Sequence, residues 1–159
     1  TSKPFGNPSG SSSSYGGNPL AATAGLATLE VILKDQLVAN AKHVGAVMLK
    51  RLEAMQEKYP FVGDVRGRGL LLGVELVKDR QTKEPLPKPI TQRLFQACLR
   101  RGLLAMCYSH NIRINPPLPI TEAQALEGLA ILDEAFAELS RGKGSKFQVP
   151  SSTLGIDEE

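Results

Sequence analysis

From residue 37 onward the apolar positions recur at spacings of three and four: Leu37, Ala41, Val44, Met48, Leu52, Met55 and Tyr59. That period predicts a helix with one apolar stripe, with Lys42, Lys50, Glu53 and Glu57 on the opposite face and Pro60 as its stop. The preceding segment has a different pattern. Residues 20–33 are apolar or small at nearly every position, which predicts a helix covered on more than one face. Asn18 supplies its N-cap and Pro19 a first position that needs no amide donor. Lys34, Asp35 and Gln36 interrupt the apolar run between the two helices.

At Val62 the period changes to that of extended chain. VGDVRGRGLLLGVELV is rich in Val and Leu and carries a Gly-rich bend, with Leu70, Leu72, Val74 and Leu76 on one strand face. Residues 78–89 hold three prolines and several charges and read as a surface loop. A helix over 90–101 ends at Gly102, and short strands are expected at 103–106 and 112–114. Thr121 and Gln124 form a capping box that opens a last helix, with Leu126, Leu129, Leu132, Phe136 and Leu139 facing inward. The expected order is helix, helix, strand, loop, helix, strand, strand, helix. That is an α/β fold, a small mixed or antiparallel sheet with helices packed against it.

Composition narrows the function classes. With 159 residues the chain suits one domain with a real core. Nineteen Lys and Arg against sixteen Asp and Glu leave a formal charge of +3, too balanced and too scattered for a nucleic-acid partner. No apolar run approaches the roughly 20 residues of a membrane span. The two cysteines, Cys98 and Cys107, lack the spacing of a disulfide framework or a zinc ribbon, which points to a reducing compartment. Residues 5–17 contain five Gly or Pro and five Ser, a loop composition, and 142–159 read as a loose tail. The start at Thr1, with Ser and Gly running straight into a helix, reads as the C-terminal piece of something longer.

Few residues carry candidate chemistry. The glycines of Gly67, Gly69 and Gly73 superficially suit a dinucleotide loop. They lead into a strand, however, where such a loop must leave a strand and open a helix. His43 lies beside the apolar stripe as a boundary residue, and His110 sits in a loop close to Arg113. Neither has a Cys or carboxylate at metal-ligand spacing. Arg113, in IRINPPL, has the planar donor fork that holds a carboxylate through two parallel hydrogen bonds. A structural ion pair or a solvated strand arginine is the plainer account of its type and place from this context alone. Ser11 to Ser14, ahead of the Asn18 cap, offer hydroxyls for a phosphate oxygen, and a flexible linker explains the same run.

Three blocks, SSSYGGNPLA at 12–21, GDVRGRGLLLGVELVKDRQTKEP at 63–85 and NIRINPPLPIT at 111–121, together with LEGLAILDEAF at 126–136, resemble the C-terminal third of class III aminotransferases. These are pyridoxal-phosphate enzymes of fold type I, the 4-aminobutyrate and ornithine aminotransferases among them. The middle block is also similar to the dialkylglycine decarboxylases of that family. The resemblance implies a Ser/Gly loop of a large domain at 1–18, a linker helix at 19–35, the small C-terminal domain at 36–141 and a tail at 142–159. It implies that Ser14, with Ser13 beside it, contacts the cofactor phosphate of the neighbouring subunit, and that Arg113 binds the substrate carboxylate. Asp64, Arg66 and Arg68 receive a structural role. The Schiff-base lysine is expected upstream of this chain, and Lys3, in SKPFGNP, does not match its surroundings. The implied protein is a cytoplasmic homodimer with shared sites, using pyridoxal 5'-phosphate, an amino donor and a 2-oxo acid. Decarboxylating transamination and a non-catalytic interaction domain are the competing readings.

Overall fold

The structure is a computed structural model that describes residues 15–107 and 109–141. The described residues form helices α1 (Pro19–Lys34), α2 (Leu37–Lys58), α3 (Lys88–Arg100) and α4 (Glu122–Arg141), with strands β1 (Val62–Arg68), β2 (Leu71–Asp79), β3 (Glu84–Pro85) and β4 (Asn111–Ile114). Every pairing in the sheet is antiparallel. β1 and β2 make a tight hairpin with Arg68 opposite Leu71, and β4 lies along β2 with Gly73 opposite Arg113 and Val74 opposite Ile112. Leu76 joins the rest: its N–H donates to the His110 carbonyl at 2.7 Å, and its carbonyl accepts from Leu86 N–H at 3.0 Å.

The core lies between one sheet face and the helices. Strand alternation turns Leu72, Val74, Leu76 and Ile112 inward, and all four are buried. The α2 stripe meets them with Val44, Met48, Leu52 and Met55. From the other helices come Leu94, Ala97 and Cys98 of α3 and Ala125, Leu129, Leu132, Ala135 and Phe136 of α4. Tyr59, Phe61 and Phe136 pack as three rings with centroids 5.3 to 5.5 Å apart, two of the pairs edge-on. The Tyr59 hydroxyl donates to Asp133, which also accepts from Lys58 at 2.8 Å. Burial pushes the Asp133 carboxyl up, but the hydrogen bonds from Lys58 and Tyr59 outweigh it and leave the group below the usual carboxylate range.

One backbone contact sets the height of α2 over the hairpin. A β-carbon on Gly45 would stand 2.1 Å from the Gly69 carbonyl oxygen, so only glycine lets α2 come this close. Between α1 and α2 the chain turns at Gln36, whose φ of 50° and ψ of 39° are left-handed. Arg80 closes the far end of α2 by donating to the carbonyls of Tyr59 at 3.0 Å and Val62 at 3.1 Å.

Four expectations need correction. Helix 19–34 forms as expected, but none of its residues is buried, and α2 is the one element it touches among the described residues. Leu126 is exposed, because 125, 129, 132 and 136 make the better helical stripe and Ala125 takes the inward place. Residues 103–106 form no strand. The Leu103 N–H is spent on the Cys98 carbonyl and the Cys107 N–H on Ala105, so only Met106 bridges Arg113. The loop 78–89 contains β3, because Asp79 accepts the N–H groups of Gln81 and Thr82 and folds the chain back onto β2.

Candidate functional site

Arg113 occupies the third position of β4, with Ile112 turned into the core and Arg113 itself exposed. Two groups hold this strand end. β2 pairs it through Gly73, and Asn40 of α2 donates from one amide nitrogen to the carbonyls of Leu118 at 2.7 Å and Ile120 at 3.0 Å. The loop that leaves Arg113 through Pro116 and Pro117 is thereby tied to α2. Sequence reasoning missed Asn40. Its signal was a short polar residue immediately before Ala41, on the edge of an otherwise apolar stripe.

The sheet supplies an internal control for the arginine. In register, Arg66, Gly73 and Arg113 lie in one row across β1, β2 and β4. Arg66 is neutralised: it pairs with Asp64 and lies 3.8 Å from Glu75. The Asp64 hydrogen bond accordingly holds the Arg66 guanidinium above its ordinary pKa. Arg113 pairs with no carboxylate among the described residues. The structural ion pair that competed for it in the sequence is therefore absent there.

A groove of about 270 Å³ opens beside it, between β4, the segment 103–106 and α4. Met48, Leu129 and Leu132 form its apolar floor, and Arg113 is its one charged lining residue among those described. An apolar recess with a single guanidinium suits a small molecule bearing one carboxylate. His110 does not line it. Its carbonyl serves Leu76, and its ring lies 3.0 Å from the Asn111 amide. His43 is a surface residue 2.9 Å from Glu122. Ser13, Ser14 and Lys3 lie outside the described residues, as do the tail positions 142–159.

What can be tested of a phosphate site is the helix end that follows the serines. Asn18 caps α1, its side-chain oxygen taking the Ala21 N–H at 2.9 Å while its carbonyl takes that of Ala22 at 3.0 Å. Pro19 has no donor at all. The first turn of α1 has thus given two of its amides to its own cap, and a phosphate here would depend chiefly on hydroxyls ahead of the helix. The Ser-rich run has that chemistry.

The chain belongs to the class-III aminotransferases, whose family model matches residues 4–136. Among its relatives, the leucine/methionine racemase of Thermococcus litoralis is 39% identical over 127 residues, which cover 80% of this chain and 29% of that protein. The human mitochondrial alanine–glyoxylate aminotransferase 2 is 37% identical over 113 residues, 69% of this chain and 22% of that one. A PLP-bound amine transaminase from an uncultivated Pseudomonas species has the same fold, with a TM-score of 0.72 and 35% identity over 76% of this chain and 28% of its own. The chain spans less than a third of the length of each of these relatives. No described helix is long and apolar enough to cross a membrane.

Proposed function

We propose that this chain is the C-terminal part of a pyridoxal-phosphate-dependent transaminase that moves an amino group from an amine or amino acid to a 2-oxo acid. The carrying observation is Arg113, exposed beside an apolar groove and without a carboxylate partner among the described residues, while Arg66 in the same row is neutralised. The cofactor, when bound, stabilises the carbanion formed beside the amino nitrogen. The residues of this chain then have two tasks. Arg113 orients the substrate through its carboxylate, and Ser14 with Ser13 donates hydroxyl hydrogen bonds to the cofactor phosphate of a partner subunit. Residues 1–18 belong to the large domain, 19–35 link the two, 36–141 are the small domain, and 142–159 are a tail.

The lysine that carries the cofactor lies upstream, so residues 1–159 alone are inactive. The active protein is a cytoplasmic homodimer with shared sites. The test uses the full-length protein with amino donors that bear a carboxylate and amines that lack one. Arg113→Ala is expected to lower kcat/KM about 10- to 100-fold for the carboxylate donors, the worth of one charge-assisted contact, and to leave the amines nearly unchanged. Equal losses for both substrate sets would remove Arg113 from carboxylate binding. The likeness to a racemase favours a second reading, in which the protein inverts the α-carbon without a 2-oxo acid. Loss of optical rotation from a single amino acid, with no acceptor present, would identify that reaction.

A further inference from the structure

The two cysteines, which neither the fold nor the proposed reaction needs as thiols, lie against each other. Cys98 is in the last turn of α3 and Cys107 in the segment leading to β4; both are buried, with their sulfurs 3.9 Å apart. The turn between them brings this about. The Cys98 carbonyl accepts the N–H groups of Arg101 and Leu103, both at 3.0 Å, and the chain reverses at Gly102 with φ at +85°. No such pairing was legible in the spacing alone.

The thiols are not equivalent. Cys107 donates its S–H to the Cys98 sulfur. That bond, with help from the Arg101 guanidinium, lowers the pKa of Cys98 in spite of burial. Giving the same bond, together with burial, raises Cys107. Cys98 is the readier thiolate and Cys107 the thiol held in reserve beside it.

The geometry points to Cys98 and Cys107 as a reversible disulfide site, oxidised by a small peroxide, that clamps the segment carrying Arg113. The Cys98 thiolate attacks one oxygen of hydrogen peroxide. The O–O bond breaks, and the departing hydroxide takes up the proton that Cys98 released and becomes water. Cys98 is then a sulfenic acid. The Cys107 sulfur attacks the Cys98 sulfur, the S–O bond breaks, and the hydroxyl leaves as water with the Cys107 proton. Two thiols and one peroxide give one disulfide and two waters, and the two electrons lost by sulfur reduce the peroxide oxygens.

Closure needs the sulfurs at about 2.05 Å, an approach of roughly 1.9 Å. Cys107 is the side that gives, since it belongs to no helix or strand while Cys98 is fixed in α3. Its neighbour Met106 bridges Arg113, and Leu103, Leu104, Ala105 and Met106 line the groove. The bond therefore joins the end of α3 to the approach of the arginine strand. In a reducing compartment the dithiol is the resting state and peroxide is the signal. This site does not depend on which reaction the whole protein performs.

The experiment treats the full-length, cofactor-loaded protein with hydrogen peroxide, alkylates the remaining thiols and digests with trypsin. Cleavage after Arg93, Arg100, Arg101 and Arg113 separates peptide 94–100 from peptide 102–113 unless they are bridged. The expected main product is the bridged pair, two hydrogens lighter than the sum of its parts and restored by dithiothreitol. In the Cys107→Ala variant Cys98 should stop at a sulfenic acid that dimedone captures. The oxidised protein should also exchange its 103–114 amides more slowly and melt several degrees higher. Two cysteines still alkylatable after peroxide treatment, or a sulfinic Cys98 with no bridged pair, would overturn the site. Unchanged exchange over 103–114 in the bridged protein would overturn the clamp.

Discussion

α1 and α4 are both long, apolar-rich helices, of 16 and 20 residues, with opposite fates. α4 gathers Ala125, Leu129, Leu132, Ala135 and Phe136 on one face and buries all five. α1 spreads its apolar side chains around the whole helix and buries none, leaving Leu20 at 82% and Leu33 at 75% exposure. A stripe can be satisfied by one neighbouring surface, and residues 37–141 provide it. A helix that is apolar all round needs cover on several sides, and among the described elements α2 alone covers one. Under the proposed function, the remaining surface is the one a large domain covers.

The comparison is broken most easily by truncating one residue on each side. Phe136→Ala should cost about 3–5 kcal/mol, read from the urea midpoint of this chain. Leu29→Ala on α1 should stay within about 0.5 kcal/mol. A comparable cost at both sites would mean that α1 is packed after all. The bare face has its own signature: the chain should associate with rising concentration in sedimentation velocity, and Leu29→Lys with Leu33→Lys should return it to monomer.

Glycine gives the next contrast. Gly45→Ala forces a methyl into the Gly69 carbonyl and should cost about 1–3 kcal/mol or more. Gly25 of α1 has nothing within 4 Å of its missing β-carbon, so Gly25→Ala should stabilise the helix by about 0.5–1 kcal/mol. Circular-dichroism melts of the two variants should move in opposite directions.

The smallest effect is the acid limb. Asp133 is pushed up by burial and pulled down further by Lys58 and Tyr59, so its folded carboxyl titrates below its unfolded one. Its contribution is complete above the unfolded value of about 3.9 and is lost as pH falls through the folded one. Asp133→Asn should therefore flatten the fall in stability below about pH 4, compared by urea titration at two acidic pH values. An unchanged slope would show that this carboxylate is not what acid attacks.

Local signals carried most of the fold. The α2 stripe, the hairpin around Gly69, the Asn18 cap and the Thr121 to Gln124 box all depend on neighbours within a few residues, and each appears as expected. The errors came where a local pattern met a competitor. Residues 103–106 looked like a strand until the Leu103 N–H was claimed by the Cys98 carbonyl at the end of α3, and Leu126 lost the inward place to Ala125. At the site, the type and strand position of Arg113 were legible. Its lack of a carboxylate partner among the described residues was not, nor was the groove, which draws on positions from Met48 to Leu132 that only folding brings together. Ser13 and Ser14 lie outside the described residues and keep the standing that the family resemblance assigned them.

The left-handed turn at Gln36 has a thermal consequence. It breaks the hydrogen-bond ladder between α1 and α2, so α1 cannot borrow the nucleus of its neighbour and must start its own. At 16 residues it stands near the length where a lone helix is marginal in water. Heating residues 1–159 should therefore produce a shallow, gradual loss of helix signal from α1, followed by the steep all-or-none step of the α/β layer. Adding the missing cover should merge the two into one.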